Sequence, residues 1–136
     1  MLVLDSSVTL AWSLDDEQEY APGLLATVTA AETAVVPMHW LLEVANGLCM
    51  AVKRRRLAPG DPVMVLAHIR EQPIIIDSET TSLGWREIPG LAQAHGLTVY
   101  DAAYLELALR LDAPLATLDQ DLARAARAAN VTLYGI

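Results

Sequence analysis

The sequence of 136 residues has no phenylalanine, a single cysteine, and no lysine or arginine before residue 53. Because Cys49 has no second cysteine to pair with, an intramolecular disulfide is excluded, and a reducing cytoplasmic compartment is the simplest expectation. No apolar run reaches the length of a membrane span, because charge or proline interrupts each one. The N-terminus also lacks the basic segment and long apolar run of a secretory signal.

The scarcity of positive charge restricts the binding partners that we expect. Nine lysines and arginines against 17 aspartates and glutamates give a net charge of −8, which argues against a general nucleic-acid-binding protein. Four of the nine cations are consecutive, in the segment KRRR at 53–56. This cluster could contact a phosphate backbone, or it could be the solvated end of a helix, where the helix dipole favours cations. Charge alone favours the second interpretation.

The apolar content is sufficient for one core, because 54% of the residues are hydrophobic and the length fits a single domain over 1–136. Strands are predicted at 1–4, 33–36, 73–77, 114–118 and 131–135. Helices are predicted at 8–14, from about 15 to 31, and at 38–56, 62–71, 81–96, 100–111 and 119–129. Short apolar strands separated by helices favour an α/β fold of three layers, with a mainly parallel sheet between helices. Ligands of such folds gather beyond the carboxyl ends of the strands.

Acidic residues stand at those strand ends. Asp5 follows the first predicted strand, and Asp119 follows the fourth. Asp101 is predicted at a similar junction, between an extended segment LTVY and a helix that is apolar on nearly every side. Each aspartate taken singly is explained as a helix cap, although Ser6 and Ser7 could already cap the helix after Asp5.

Glu43 is different, because it lies inside a predicted helix, in the apolar segment WLLEV. It is the only charged residue between residues 32 and 53. A carboxylate in such surroundings is expected to be partly buried and to need a partner. An arginine partner, or a solvated helix face, would be the purely structural explanation.

A single cluster would account for these four acids together. Carboxylates brought close repel one another, and a divalent cation removes that conflict. Oxygen ligands favour Mg²⁺ or Mn²⁺, whereas the isolated His39, His68 and His95 do not have the spacing of a zinc site. Such an ion would activate water, neutralise the charge that develops on a phosphodiester, and make an acidic pocket receptive to a polyanion.

Three segments, in this order, resemble the PIN-domain family, and in particular the VapC-like ribonuclease toxins of type II toxin–antitoxin systems. VLDSSVTLAW resembles the family's opening strand with its Asp and Ser/Thr. PMHWLLEVANGL resembles its proline-led helix, in which Asn follows Glu by three residues. GLTVYDAAYLELALRLDAPLATLDQDL resembles its block of buried helix, strand and final acids, although Leu122 stands where many relatives have Phe. The likeness covers essentially the whole chain.

The resemblance implies a small α/β/α domain with Mg²⁺- or Mn²⁺-dependent endoribonuclease activity, a homodimer, and neutralisation by a cognate antitoxin protein. It implies that Asp5, Asp101 and Asp119 are metal ligands, and that Glu43 is a ligand or a base that positions water. Auxiliary roles are implied for Ser7, Asn46, Thr117 and Asp121. A contact with RNA or with the antitoxin is a further hypothesis for Arg54, Arg55 and Arg56. The loop before Asp101 has few basic residues and offers no evident RNA clamp.

Other classes of function fit less of the sequence. A haloacid-dehalogenase-type phosphatase needs a second Asp two residues after the first, where this chain has Ser7. A receiver-type phosphorylation switch needs a lysine near its last strand, and the only lysine is Lys53. A catalytically silent PIN-like module that acts through protein or RNA binding stays the alternative to an enzyme.

Overall fold

The computed structural model describes residues 1–14, 30 and 33–134, so nearly all of the helix predicted from about 15 to 31 lies outside the described residues. The strands are β1 (Leu2–Leu4), β2 (Ala34–Val36), β3 (Ile74–Ile76) and β4 (Leu115–Ala116). The named helices of the described part are α1 (Ser6–Ser13), α2 (Trp40–Lys53), α3 (Asp61–Arg70), α4 (Thr80–Leu83), α5 (Glu87–His95), α6 (Val99–Leu111) and α7 (Gln120–Ala128).

These four strands form one parallel sheet in the order β3-β2-β1-β4. Val3 of β1 pairs with Val35 on one side and with Leu115 on the other. All residues of β1, β2 and β4 are buried, which is why these segments are continuously apolar rather than alternating. The chain order reverses between β1 and β4, and such a switch point is where α/β sheets form ligand-binding crevices.

The core is centred on β1 and α6. Helix α6 is buried along seven consecutive residues, 102–108, as its apolar sequence predicts. Helix α2 buries Trp40, Val44 and Leu48 on one face, and the Trp40 indole N–H donates to the buried hydroxyl of Thr9 at 3.3 Å. None of the described helices has both the length and the apolar character required to cross a membrane.

Two predicted elements are different in the structure because of local turn chemistry. The helix predicted over 81–96 is divided into α4 and α5, although Gly96 is the predicted left-handed C-cap, with φ of 64°. The segment LTVY is not extended: Thr98 is the N-cap of α6, and its hydroxyl accepts the Asp101 N–H at 3.1 Å. Asp101 is therefore the third residue of a helix rather than the residue that opens it.

The predicted final strand and the KRRR helix end also differ. Within residues 131–134, only Leu133 forms a β-bridge, with Leu115. Helix α2 ends at Lys53, because Arg55 adopts a left-handed conformation with φ of 60°. The N–H groups of Arg55 and Arg56 then donate to the carbonyls of Val52 and Ala51, as in a Schellman C-cap.

Arg110 ties α6 to the segment after β3. Its guanidinium donates to Asp77 Oδ2 at 2.8 Å, to Glu106 Oε1 at 2.7 Å and to Glu79 Oε2 at 2.8 Å. Burial raises the pKa of Asp77, but hydrogen bonds from Arg110 and Thr80 outweigh that effect, and the pKa is lowered overall. The side chains of Asp77 and Glu106 are only 11% and 8% exposed, so their charges depend on this one cation.

We expect Arg110→Met to lower the free energy of unfolding by about 2–4 kcal/mol, because it leaves two buried carboxylates unpaired. Urea denaturation measures the change. Since the pKa of Asp77 is lowered, this stabilisation is complete above the ordinary carboxyl pKa and is lost as pH falls below it, so the two proteins should converge in acid.

The matched control is Arg124→Met, because Arg124 pairs with Asp121 at 3.4 Å across exposed side chains. An exposed pair contributes at most about 1 kcal/mol. Equal losses in the two variants would contradict the role given to Arg110.

Candidate active site

Asp5 lies at the carboxyl end of β1 and is only 3% exposed. Its Oδ2 accepts hydrogen bonds from Ser7 Oγ at 2.6 Å and from Thr117 Oγ1 at 2.7 Å. The prediction that Ser6 or Ser7 caps α1 is wrong, because α1 begins at Ser6 and Asp5 occupies the cap position. The Asp5 carboxylate caps no helical N–H and is directed instead to these hydroxyls.

Both hydroxyls are held in place by the chain that follows β4. Ser7 Oγ accepts the Leu118 N–H at 3.0 Å, and Thr117 Oγ1 accepts the Asp119 N–H at 3.0 Å. Because each hydroxyl accepts a backbone N–H, its own hydrogen is available for Asp5. One carboxylate thus joins the ends of β1 and β4 and fixes the backbone of Asp119.

Asp119 is the N-cap of α7, since its Oδ1 accepts the Leu122 N–H at 2.8 Å. The capping role is therefore real, and the remaining oxygen, Oδ2, accepts no hydrogen bond from the described residues. Asp121 is different: it is exposed, and its only ion pair among the described residues is with Arg124. The structure does not bring Asp121 to the other acids.

Asp101 is half-buried in the first turn of α6. Burial raises the pKa of Asp101 to about 6, with further contributions from the charges of Asp5, Asp119 and Glu43. Burial likewise raises the pKa of Asp5; the hydroxyls of Ser7 and Thr117 oppose the shift, and the charges of Glu43 and Asp119 add to it. We refer to Asp5, Glu43, Asp101 and Asp119 as the carboxylate cluster, because their charges act on one another.

Glu43 has the partner that its apolar surroundings require, and the partner is a tyrosine. Tyr104 Oη donates to Glu43 Oε1 at 2.6 Å, and His39 Nε2 lies 3.6 Å from the same oxygen. Burial, together with the negative charge of Asp5, raises the pKa of Tyr104, so the phenol keeps its hydrogen. The sequence predicted no role for Tyr104 and no partner for His39. Spacing offered the only signal: Tyr104 is one turn after Asp101, and His39 is one turn before Glu43.

The other predicted residues lie further out. Asn46 is exposed, and its side chain forms no hydrogen bond with the described residues. Arg54, Arg55 and Arg56 are exposed on the turn after α2. They follow the end of α2 that is opposite Glu43, about 15 Å along the helix axis.

The donor set of the carboxylate cluster fits a hard divalent cation. It supplies carboxylate oxygens alone, and no lysine or arginine of the described part forms an ion pair with it. In the described ranges no three Asp, Glu, His or Cys side chains yet surround a point at which an ion could bind.

A family model of the PIN domain matches residues 2–128. The chain belongs to the PIN domain family. It is 30% identical over 123 residues to Ribonuclease VapC3 of Pyrobaculum aerophilum, which covers 90% of this chain and 92% of that relative. The predicted family is therefore confirmed.

Two crystal structures share the fold of this PIN domain. PAE2754 from Pyrobaculum aerophilum matches with a TM-score of 0.61 and 21% identity, over 91% of this chain and 83% of that one. FitAcB from Neisseria gonorrhoeae matches with a TM-score of 0.58 and 19% identity, over 98% and 96%. The predicted three-layer α/β/α fold is confirmed.

In the absence of divalent ions, we expect the free energy of unfolding to decrease as pH rises from about 4 to 7. The raised pKa of Asp101, near 6, means that the native state binds more protons than the unfolded chain in this range, so protonation stabilises it. Chemical denaturation in EDTA at several pH values measures the slope.

Asp101→Asn should make this slope smaller, because it removes a titrating carboxyl from the cluster. Asp112→Asn is the control, since Asp112 is an exposed C-cap residue of α6 whose left-handed conformation asparagine also adopts. A slope that Asp101→Asn leaves unchanged would show that Asp101 is not the group responsible.

Proposed function

We propose that this PIN-domain protein is a divalent-metal-dependent endoribonuclease that hydrolyses RNA phosphodiester bonds. The observation that carries the proposal is the carboxylate cluster at the carboxyl edge of the sheet, where burial and the charges of Glu43 and Asp119 raise the pKa values of Asp5 and Asp101. Membership of the PIN domain family and similarity to a relative named Ribonuclease VapC3 support RNA as the substrate.

In this proposal Asp5, Asp101 and Asp119 hold one or two Mg²⁺ or Mn²⁺ ions. The bound ion supplies positive charge that activates water and neutralises charge developing on the phosphodiester. It would also relieve the repulsion that adds to the effect of burial in raising the pKa values of Asp5 and Asp101. Ser7 and Thr117 keep Asp5 in place through the hydrogen bonds described above.

Glu43 is proposed as a further ligand or as the base that positions water. Tyr104 fixes Oε1 of Glu43 with a 2.6 Å hydrogen bond, while Oε2 accepts none from the described residues. A carboxylate held by one oxygen can accept a hydrogen bond from water with the other. The exposed positions of Asn46 and Asp121 favour auxiliary roles for both.

We also propose that the protein acts in the cytoplasm as the toxin of a toxin–antitoxin pair, as a homodimer that a cognate antitoxin neutralises. Similarity to Ribonuclease VapC3 supports this role. So do large exposed apolar side chains, among them Leu42, Val63 and Met64, each more than 70% exposed, because such groups suit protein partners. A small DNA-binding protein encoded beside this chain would be the candidate antitoxin.

The test of the enzymatic proposal is cleavage of single-stranded RNA with Mg²⁺ or Mn²⁺, set against EDTA. We expect cleavage with either ion, none in EDTA, and a loss of roughly 100-fold or more in Asp5→Asn and Asp101→Asn, which keep the size but remove the charge. Asp112→Asn, purified in the same way, should retain the wild-type rate.

The outcomes separate the proposals. If Asp5→Asn or Asp101→Asn cleaves as fast as the wild type, the site is wrongly assigned. If the wild type binds RNA but cleaves it with neither ion, the catalytically silent binding module is the better description.

For the basic turn, we expect replacement of Arg54, Arg55 and Arg56 by glutamine to flatten the salt dependence of RNA binding. Each lost phosphate contact on a single strand reduces the slope of log K against log salt by about 0.7. Replacing the exposed Arg124 and Arg127 of α7 is the control for general charge. An unchanged slope, with a weaker antitoxin complex, would assign the turn to the protein partner instead.

A further inference from the structure

Three aromatic rings extend from the core to the surface beside the carboxylate cluster. Tyr104 is fully buried, the His39 ring meets it edge-on with 5.3 Å between centroids, and the Tyr100 ring lies against the outer side of His39 at 5.8 Å. Tyr100 itself is 59% exposed. We refer to the rings of Tyr100 and His39 as the aromatic step, because the His39 ring lies between the exposed Tyr100 ring and the buried Tyr104 ring.

The aromatic step is fixed relative to the acids. His39 Nε2 lies 3.0 Å from the Tyr100 carbonyl oxygen, and since a carbonyl only accepts, this nitrogen carries the hydrogen. The same nitrogen is 3.6 Å from Glu43 Oε1, and Tyr100 immediately precedes Asp101. The exposed ring therefore lies at the rim of the carboxylate cluster, against the His39 ring and one residue before Asp101.

Packing does not account for the exposed ring. More than half of the Tyr100 side chain is in solvent, and its hydroxyl forms no hydrogen bond with the described residues. An unpaired nucleobase stacks on a solvated aromatic ring of this kind. Stacking also needs no positive charge, and the sequence has no lysine or arginine between Arg86 and Arg110.

We infer that Tyr100 is a nucleobase-stacking residue that holds an unpaired base of single-stranded RNA next to the cleaved phosphodiester. The inference rests on the proposed function, because it places the reacting phosphate at the carboxylate cluster. His39 supports the ring, and Asp101 and Glu43 face the adjoining phosphate. The substrate class is therefore RNA that is unpaired at the cleavage position, since a base in a duplex cannot reach the ring.

The test compares Tyr100→Ala with Tyr100→Phe, which keeps the ring. The measurements are KM for cleavage with Mn²⁺ and the Kd of a fluorescent single-stranded oligoribonucleotide in EDTA. Tyr100→Ala should raise both by roughly 5- to 100-fold, as the loss of one stacked base does, with kcat little changed because the ring does not touch the reacting atoms. Tyr100→Phe should stay close to the wild type.

Tyr134→Ala is the matched control. Tyr134 is also exposed, at 43%, but it lines a cavity with residues 112–114, which precede β4, whereas the carboxylate cluster lies beyond the end of β4. Thermal unfolding checks that each variant is folded. Tyr100→Leu, which retains an apolar side chain without a ring, serves as a second variant if Tyr100→Ala is unstable.

Two further measurements identify stacking as the cause. A series of oligonucleotides carries one abasic nucleotide, each at a different position, and at one position the loss of the base should weaken RNA binding by the wild type. At that same position it should not further weaken RNA binding by Tyr100→Ala. The ratio of the Kd values of Tyr100→Ala and wild type should be the same at low and high salt, because stacking releases no counterions.

Wild-type Kd and KM in Tyr100→Ala would overturn the inference. So would an equal loss in Tyr100→Phe, or a loss confined to the antitoxin complex, which would make Tyr100 a protein contact. The two proposals fail separately. Absence of cleavage by the wild type, with weaker RNA binding by Tyr100→Ala, would refute the nuclease and leave the stacking residue. Normal cleavage by both would refute the stacking residue alone.

Discussion

The structure depends on one buried carboxylate. Asp5 is almost completely removed from solvent at the end of the central strand, where an unpaired charge would be strongly unfavourable. The hydroxyl groups of Ser7 and Thr117 both donate hydrogen bonds to its Oδ2, and each hydroxyl accepts a hydrogen bond from a backbone N–H of the chain after β4. The same few atoms close the sheet at β1 and β4 and fix the backbone from which Asp119 projects. Stability of the sheet and geometry of the candidate site are therefore not separable at this point.

The parts of the fold that depend on local sequence were predictable. Continuous apolar segments identified β1, β2 and β4, since strands buried on both faces cannot alternate. Asp5 and Asp119 were located at strand ends for the same reason. Gly96 identified a helix end, because its left-handed conformation suits glycine. Residues 131–135 have an equally good strand pattern, but within the described residues 131–134 only Leu133 forms a β-bridge. The sequence pattern indicates only the propensity of a segment to form a strand, whereas strand pairing also requires a neighbouring strand in register.

Contacts between distant residues were not predictable. Tyr104 reaches Glu43 across 61 positions in the chain, and Arg110 reaches Asp77 across 33. Nothing in the local sequence of Glu43 distinguishes a tyrosine partner from an arginine, so its burial was foreseen and its partner was not. The sequence likewise could not distinguish Asp119 from Asp121, because both are acids at the start of one helix. In the structure Asp119 caps α7 next to Thr117, whereas Asp121 forms a solvated ion pair with Arg124.

An acidic protein that acts on RNA can bind it only at sites where the repulsion between its own negative charges and the RNA phosphates is compensated. With a net charge of −8, most of the surface disfavours a polyanion, and the carboxylate cluster does so most strongly until a cation is present. On the proposed function, each bound ion therefore strengthens the binding of phosphate, and by thermodynamic reciprocity the phosphate strengthens the binding of the ion. The exposed ring of Tyr100 contributes affinity that does not depend on charge. Recognition is thereby concentrated at the edge of the sheet where Asp5 lies, and the rest of the acidic surface keeps non-specific binding weak.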